Sequence, residues 1–401
     1  MTAQAASVQA PRGAMARSSA AQHVTRAASL SRSFAATAAH HDRTADFPFE
    51  NFAALRDAGL LALTVARDDG GLGGGLTEAQ FVVGEIARGE PATALVLAMH
   101  YIQHATIARR EGWPPHLVRR LTQEAASGIA LINALQAEPG MGSPSRDGLP
   151  ATVARPAGRE WRISGHKIYA TGIPILSWLV VLGLTDEAEP RIGWFLVPAR
   201  AKGIRVIETW NATGMRATAS HDIVFEDVAI PRDQALELRP AAVGAARSES
   251  QAAWSSGLVA AVYDGIARAA RDWLVAFVNR HAPAALGAPF ATVPRIQEAV
   301  GAIELRLVTN AALLRDHARS VDDGAPSITV AGTVKHVVIE NAVAVTTAAL
   351  QLAGNHGLSR DNPLERHHRD ALCGRAHAPQ HDVLRVNLGR LALTRGLPDP
   401  G

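Results

Sequence analysis

Apolar residues recur at helical spacing from about residue 49 to residue 127, which predicts an N-terminal helical region. Thr77 and Gln80 have the spacing of a capping box ahead of an apolar run, so they predict the start of one helix. Pro91 opens another helical stretch. The glycine-rich run at 70–76 does not follow a predicted strand, and it therefore indicates a turn before a helix rather than a phosphate-binding loop.

The pattern changes between about residues 128 and 240, where short β-rich runs alternate with Gly, Pro, Asn and Asp turns. After Pro240, helical spacing returns over about 250–280, 295–320 and 327–354, with a last helix from Pro379. Thr292 and Pro294 predict a cap and a first helical turn. This order predicts an α+β fold with domains 1–127, 128–240 and 241–401. It lacks the βαβ alternation of a Rossmann dinucleotide fold.

The first 41 residues differ from the rest, because no acid precedes Asp42 while Arg12, Arg17, Arg26 and Arg32 stand among Ala and Ser. That composition is typical of an organellar transit peptide. The alternative is a frayed, alanine-rich first helix. We favour the helix, because the whole chain is rich in Ala and Arg.

Composition narrows the function classes. The chain has 401 residues, 47% of them hydrophobic and 19% charged, which suits a large core. The net charge of +3 is spread along the chain, so we expect no nucleic-acid partner. The longest apolar run, residues 173–184, is short and contains Pro174 and Ser177, so we expect no membrane span.

Cys373 is the only cysteine, which excludes intramolecular disulfides and cysteine metal clusters and favours a reducing, cytoplasmic location. The chain also has no Gly-x-x-x-x-Gly-Lys loop and no His-Glu-x-x-His helix. We therefore expect no metal site, and we interpret the histidines other than His377, including the pairs His40-His41 and His367-His368, as structural or surface residues.

Several segments together carry a family resemblance. In chain order they are FPFENFAALRDAGLLALTVARDDGGLGGGLTEAQ, LQAEPGMGS, ISGHKIYATG, GMRATASHDIVFEDVAIP, VKHVVIENAVAVTTAALQLAGNHG and ERHHRDA. With these segments the chain resembles the acyl-CoA dehydrogenase flavoprotein superfamily over about residues 47–393. The resemblance implies an N-terminal helical domain, a middle β-barrel and a C-terminal helical bundle. It also implies a bound flavin, FAD or FMN, and a homotetramer or a homodimer of the same core.

The resemblance assigns flavin contacts to the segment LQAEPGMGS. Backbone donors of Gln136 and Ala137 would reach the pyrimidine edge of the flavin, which provides the reactive atoms while the protein provides position and electrostatics. Gly142 would let the chain pass close to the cofactor, and Ser143 would bond phosphate or substrate. Family members often carry Thr where this chain has Ala137, so one side-chain donor is lost.

In KIYATG, the resemblance implies that Tyr169 covers the isoalloxazine ring and that Thr171 reaches its N5. The alternative is an ordinary strand with alternating side chains. Gln351 and Gly354 match a turn that contacts the adenosine part of FAD from a neighbouring subunit. Arg280 matches an arginine for the pyrophosphate, although the Phe-Gly pair that follows it in the family is displaced here to Leu286-Gly287.

The departures from the family pattern bear on the reaction. A dehydrogenase of this family needs a glutamate to remove the proton alpha to a thioester. The two places for it are occupied by Ala378 and Ser255, and the arginine for the CoA end is replaced by Ser256. Glu249 stands nearby as a candidate displaced base.

Other features resemble the reduced-flavin monooxygenases of the dibenzothiophene monooxygenase type. His377 follows Arg369-Asp370 at the spacing of that branch, although Ala378-Pro379 stands where the branch has Asp-Pro. The branch also has a pattern that matches Trp210, Gly214, Arg216, Thr218 and Ser220. A histidine beside the flavin could donate a proton or hydrogen bond during oxygen activation. The alternative for His377 is a polar residue in a loop before a helix.

The sequence therefore favours a flavin-dependent monooxygenase that acts on a small organic substrate and is served by a flavin reductase or another electron-transfer partner. The alternatives are an FAD-dependent acyl-CoA dehydrogenase with a displaced base and a non-catalytic paralogue. We expect His377 to lie at the mouth of a helix that starts at Pro379. The positive end of that helix would keep the imidazole neutral.

Overall fold

The structure, a computed structural model, describes residues 12–107, 113–140, 148–244 and 248–394, with side chains described from residue 21. Its N-terminal part is helical, as the apolar spacing predicts. The helices before the first strand are α1 Arg12–Thr44, α2 Phe49–Asp57, α3 Leu76–Gly89, α4 Pro91–Ile107 and α5 Pro115–Ser127. Between α2 and α3 the glycine-rich run forms turns, in agreement with the prediction.

The middle part is a single mixed sheet with strand order β6-β7-β3-β2-β4-β5-β8, and β1 pairs in parallel with β4. The strands are β1 Leu131–Leu135, β2 Val153–Ala157, β3 Glu160–Ala170, β4 Leu176–Thr185, β5 Arg191–Pro198, β6 Ile204–Ile207, β7 His221–Pro231 and β8 Ala235–Pro240. The ladder between β3 and β7 is irregular between Lys167 and Ala170, where Tyr169 has a φ of 60°. Such an irregularity redirects a side chain at the end of a strand.

Helices return after the sheet. They are α6 Glu249–Arg280, α7 Pro294–Asp322, α8 Ile328–Ala353, α9 Asn355–Leu358, α10 Leu364–Leu372 and α11 His381–Thr394. The α+β class is confirmed. The element type changes near the two predicted domain boundaries, and the division into three domains stays a prediction.

Helix α6 lies against α3 at close range. A Cβ atom on Gly265 would lie 2.4 Å from the carbonyl oxygen of Gly84, so the two backbones can approach this closely only without a side chain at residue 265. Because α6 also provides buried residues such as Val262 and Ile266, it forms the centre of the helical core. The face of α6 that turns toward the sheet is therefore held in a fixed position.

The first helix differs from the expectation of a frayed segment. From residue 21 its side chains are described, and Ala27, Phe34 and Ala38 are buried. A Cβ atom on Gly89 of α3 would lie 2.0 Å from the carbonyl oxygen of Ser31, so α1 packs directly on α3. The helix is confirmed and the fraying is wrong for this part, because the apolar face of α1 has a partner in α3.

Two predicted helix caps and one predicted helix start need correction. Thr77 and Gln80 do not cap α3; its first amides, those of Leu76 and Thr77, donate to the carboxylate of Asp322 at 2.7 and 2.9 Å. Helix α7 begins at Pro294 as predicted, but its cap position is Val293 rather than Thr292. Helix α11 begins at His381 and not at Pro379. Capping by a carboxylate from the end of α7 arises from tertiary structure, and local spacing does not predict it.

Among the described helices, α8 is long and apolar enough to cross a membrane by length and composition alone. The most apolar window of α8 is 56% buried within the protein. Core helices of globular proteins pass the same test, so this is weak evidence for a span.

Candidate active site

A cavity of about 820 Å³ lies where the sheet meets the helical core. Its walls come from α4, β1 and the turn after it, the end of β3, the loop before β7, α6, and the segment between α10 and α11. The apolar lining residues are Leu95, Met99, Ile102, Ala134, Leu135, Ala137, Gly140, Ile168, Ala212, Met215, Val259, Ala376 and Ala378. The lining residues with polar or thiol side chains are Gln103, Asn133, Gln136, Glu138, Tyr169, Thr171, Trp210, Thr218, Ser220, Gln251, Ser255, Tyr263, Cys373, His377 and Gln380.

The turn after β1 places Gln136 and Ala137 in the cavity wall. It is fixed by the buried Glu138, whose carboxylate accepts hydrogen bonds from Lys167 Nζ at 2.5 Å and Thr152 Oγ1 at 2.6 Å. Burial opposes the charge on Glu138, but these bonds outweigh it and hold the pKa of the carboxyl group below its ordinary value. Glu138 is thus bound to its own scaffold and is not a free base. The predicted contacts Gly142 and Ser143 lie outside the described residues.

A row of hydroxyl groups lines the wall at the end of β3. Thr171 Oγ1 lies 2.9 Å from Ser220 Oγ, which in turn lies 2.8 Å from Thr218 Oγ1. Tyr169 is 61% exposed, and its ring meets the ring of Trp210 edge to face, with 6.3 Å between centroids. The structure therefore brings Tyr169, Thr171 and Trp210, which the sequence pattern singles out, to one side of the cavity. Their roles toward a cofactor stay predictions.

His377 lies in the cavity wall, and its Nε2 is 2.8 Å from Tyr263 Oη. Burial, and secondly the charge of Lys335, lower the pKa of His377 to about 4, while burial raises the pKa of Tyr263 well above its ordinary value. At neutral pH the tyrosine hydroxyl is therefore protonated and the imidazole is neutral. The phenol and the neutral imidazole therefore share a hydrogen bond in which either the hydroxyl or the ring nitrogen can be the donor.

The neutral state of His377 agrees with the expectation, but the expected cause is wrong. The imidazole does not lie at the first turn of a helix that starts at Pro379, since α11 begins two residues later. Its pKa falls because it is buried and lies near Lys335. Lys335 is itself buried on α8, and its Nζ donates to the carbonyl oxygens of His377 and Pro379 at 2.9 Å each. These two hydrogen bonds from one ammonium group position the segment that carries His377.

The two predicted positions of the family base, Ala378 and Ser255, both lie in the cavity wall, and neither side chain ionises there. Ser256, in place of the CoA arginine, is buried. Glu249 is exposed on the first turn of α6 and is not part of the described lining. Among the described lining residues the sole carboxylate is Glu138, which is engaged by Lys167.

The loop before β7 is tied to α10. The backbone amide of Met215 donates to Asp370 Oδ1 at 2.6 Å, and a Cβ atom on Gly214 would lie 2.4 Å from the carbonyl oxygen of Arg369. Burial raises the pKa of Asp370 to about 7, against the opposing effect of the Met215 amide. The Trp210–Ser220 pattern and the Arg369-Asp370 pair, which are far apart in the sequence, thus dock on each other.

Arg280, Gln351 and Gly354 are exposed and lie away from the cavity. Arg280 is the last residue of α6, and Gly354, with a φ of 57°, follows the end of α8. Near them the rings of Phe277, His281 and His356 cluster, with centroids 4.9–5.2 Å apart. A contact with the cofactor of a neighbouring subunit, as the resemblance implies, stays a prediction.

Tyr263 and Lys335 are site residues that the sequence analysis missed. One signal for Tyr263 was available, because Gln251, Ser255, Val259 and Tyr263 follow at intervals of four and form one stripe of α6 along the cavity. Lys335 gave no local signal, since its partners are backbone carbonyls of a distant loop.

Family models cover most of the chain. The N-terminal, middle and C-terminal domains of acyl-CoA dehydrogenase match residues 20–119, 134–228 and 257–381. The putative acyl-CoA dehydrogenase YdbM of Bacillus subtilis is 32% identical over 354 residues, which is 88% of this chain and 91% of YdbM.

Two further proteins are similar to this chain. L-evernosamine nitrososynthase from Micromonospora sp. is 30% identical over 356 residues, which is 84% of this chain and 82% of that enzyme. The structure of dibenzothiophene monooxygenase TdsC from Paenibacillus, also solved with FMN bound, superposes with a TM-score of 0.81 at 22% identity. The match covers 94% of this chain and 99% of TdsC. That identity shows the fold alone. The chain therefore belongs to the acyl-CoA dehydrogenase family of flavin-dependent oxidoreductases.

Proposed function

We propose that this chain is a flavin-dependent monooxygenase that acts on a small organic substrate with reduced FMN or FAD bound in the cavity. The observation that carries the proposal is the chemistry of the two base positions. Ala378 and Ser255 both line the cavity, and neither can remove a proton from carbon. A dehydrogenase of this fold needs a carboxylate at one of them.

The cavity suits a flavin by its size and lining. A volume of about 820 Å³ is within the range of cofactor sites, and the described walls combine apolar side chains with neutral polar groups and the paired carboxylate of Glu138. Gln103 is almost fully buried in the wall, and its Oε1 has no hydrogen-bond partner among the described residues. Because an unpaired buried acceptor is unfavourable, this atom favours a bound donor. The ring of a flavin carries such a donor.

The resident groups have distinct roles in this proposal. The backbone of Gln136 and Ala137 and the hydroxyl of Thr171 would hold the polar edge of the ring, and Tyr169 and Trp210 would cover its face. When bound, the reduced cofactor supplies the two electrons for oxygen activation. His377 would hold or pass a proton at the cavity wall, and its hydrogen bond with the hydroxyl of Tyr263 would fix the orientation of the ring. The apolar walls exclude water that would otherwise promote loss of hydrogen peroxide.

Supporting relatives differ in chemistry. The name of the nitrososynthase describes oxidation at nitrogen, and that of TdsC describes a monooxygenase. YdbM is named a putative acyl-CoA dehydrogenase, and this favours the second candidate, an acyl-CoA dehydrogenase with Glu249 as displaced base. Against it, Glu249 is exposed and absent from the described lining. A non-catalytic paralogue would not need the bonded Tyr263–His377 pair.

The proposal includes partners. A flavin reductase or electron-transfer protein would supply reduced flavin, and a homotetramer or homodimer would bring Arg280, Gln351 and Gly354 of one subunit to the cofactor of its neighbour. We place the enzyme in the cytoplasm, where Cys373 stays a free thiol.

The test is a pair of anaerobic titrations followed by exposure to oxygen. We expect the protein to bind reduced FMN or FAD and to change the rate at which that flavin is reoxidised by oxygen. Butyryl-CoA should fail to bleach FAD bound to the protein. Rapid bleaching by butyryl-CoA would replace the monooxygenase with the dehydrogenase. The absence of any flavin affinity would support the non-catalytic paralogue.

A further inference from the structure

A second cluster of ligating side chains lies on the outer side of the segment that carries His377. His336 and Glu340 are one turn apart on α8, and His381 is the first residue of α11. One ligand atom of each lies within 4.8 Å of the others. His381 Nδ1 is already 2.9 Å from Glu340 Oε1.

Two nitrogen atoms of the cluster have no hydrogen-bond partner among the residues that the structure describes. They are Nε2 of His381, a residue that is 7% exposed, and the buried Nδ1 of His336. The two rings meet edge to face, with 4.3 Å between centroids. Buried nitrogen atoms that lack partners are unfavourable, and ligation would relieve this.

We propose that His336, Glu340 and His381 form a binding site for a divalent transition-metal ion. Two imidazoles and one carboxylate are a ligand set that Zn²⁺ accepts, with water in the remaining position. Tetrahedral zinc ligands lie roughly 3.3 Å apart, so small side-chain rotations would close the cluster around an ion. A bound ion would link the first residue of α11 to α8.

Nearby cations oppose the ion and limit its affinity. Arg375 binds both oxygens of Glu340, at 2.8 and 2.7 Å, and is the direct competitor. Its side chain is 48% exposed, so it can turn into solvent when the metal binds. Lys335 is engaged by the carbonyl oxygens of His377 and Pro379, and Arg385 by the carbonyl oxygen of His381. We therefore expect weaker binding than in closed structural zinc sites.

The position of the site gives it a consequence for the cavity. Gln380 and His377 line the cavity, and they lie one and four residues before His381. A metal that joins α8 to α11 would fix the far end of this segment, in addition to the bonds from Lys335. The site itself does not depend on the proposed monooxygenase reaction.

The test is a zinc titration of tag-free, chelator-treated full-length protein, followed by calorimetry and by cobalt absorption spectra. We expect one zinc ion per chain, with cobalt bands typical of four ligands. His336→Gln, Glu340→Gln and His381→Asn should each weaken binding at least tenfold. Arg375→Gln should strengthen it several-fold, because the competitor of the metal is removed. His116→Gln is the matched control, since His116 is a surface residue paired with Asp233 on another part of the fold.

Zinc should also slow hydrogen exchange of residues 376–384 in the unaltered protein and leave exchange unchanged in Glu340→Gln. Circular dichroism shows whether each variant is folded, and Arg375→Gln tests the proposal without removing a ligand. The proposal would be overturned if the three ligand variants bound zinc as tightly as the unaltered protein does. Weaker binding by Arg375→Gln, or no stoichiometric binding to the unaltered protein, would also overturn it.

Discussion

Tyr263 Oη on α6 lies 2.8 Å from Nε2 of His377, which stands 114 positions later in the chain. The bond joins the stripe of α6 that lines the cavity to the segment between α10 and α11. It fixes the orientation of the imidazole ring and couples its tautomer to the direction of the tyrosine hydroxyl. Two predictions rest on this pair.

Replacing His377 by Ala should separate oxygen consumption from product formation. Flavin affinity should change less than twofold, while product formation falls about a hundredfold or more, as for loss of a general acid or base. Hydrogen peroxide should increase in compensation. The measurement is the ratio of product to peroxide in the reaction with reduced flavin. A variant that remains fully coupled would return His377 to a structural role.

Tyr263→Phe should remove the hydrogen bond at Nε2 of His377 without changing the shape of the cavity. Loss of the hydrogen bond costs about 1 kcal/mol of stability. Product formation should fall about tenfold, and the acid limb of its pH profile should move. Tyr101→Phe is the control, because it removes another buried hydroxyl, bonded to the carbonyl oxygen of Leu60 outside the cavity. If both variants lose only stability, Tyr263 does not position His377.

Thr171→Val removes a hydroxyl from the cavity wall and retains the shape of the side chain. One lost neutral hydrogen bond costs about 1 kcal/mol, so flavin should bind several-fold more weakly. Flavin fluorescence titration gives the affinity. Thr122→Val on α5 serves for comparison, since the hydroxyl of Thr122 bonds the carbonyl oxygens of Val118 and Arg119 in its own helix. Unchanged affinity and an unchanged flavin spectrum would place the binding site elsewhere.

Asp370 should make stability depend on pH. Its pKa rises from 3.8 to about 7 on folding because it is buried, so the folded chain binds the proton more tightly than the unfolded chain. This contribution is complete below about pH 4 and is lost as pH rises toward 7. Asp370→Asn mimics the protonated form and can still accept from Met215. From pH 5 to 8, the Tm of the unaltered protein should fall by a few degrees relative to that of the variant. Parallel profiles would contradict the assignment.

Asp322→Ala should weaken the junction between α7 and α3. The carboxylate accepts from the amides of Leu76 and Thr77, and loss of a helix cap costs about 1 kcal/mol. Chemical denaturation gives the free energy of unfolding. Asp323→Ala removes the neighbouring exposed acid and should leave stability nearly unchanged. Equal effects of the two variants would show that general surface charge, and not the cap, is responsible.

Short-range patterns predicted most of what they physically determine. Helical spacing before residue 127 and after Pro240, and β-rich runs between, identified the fold class, because apolar periodicity follows the buried faces. Tyr169, Thr171 and Trp210 stand in local motifs and converge on one wall. The cap from Asp322, the bond from Tyr263 and the anchoring by Lys335 each join distant parts of the chain. No local spacing records such contacts.

The two bonds from Lys335 go to backbone oxygens, not to side chains, of the segment that holds His377. The path of this segment is thus largely independent of which residues it carries. Substitutions at Ala376, Ala378 or Gln380 can change the chemistry presented to the cavity without removing that support. Because the support acts on the backbone, one fold can replace a base by a neutral residue in this segment and still keep the path of the chain. Such replacements can diversify the reactions that the fold carries out.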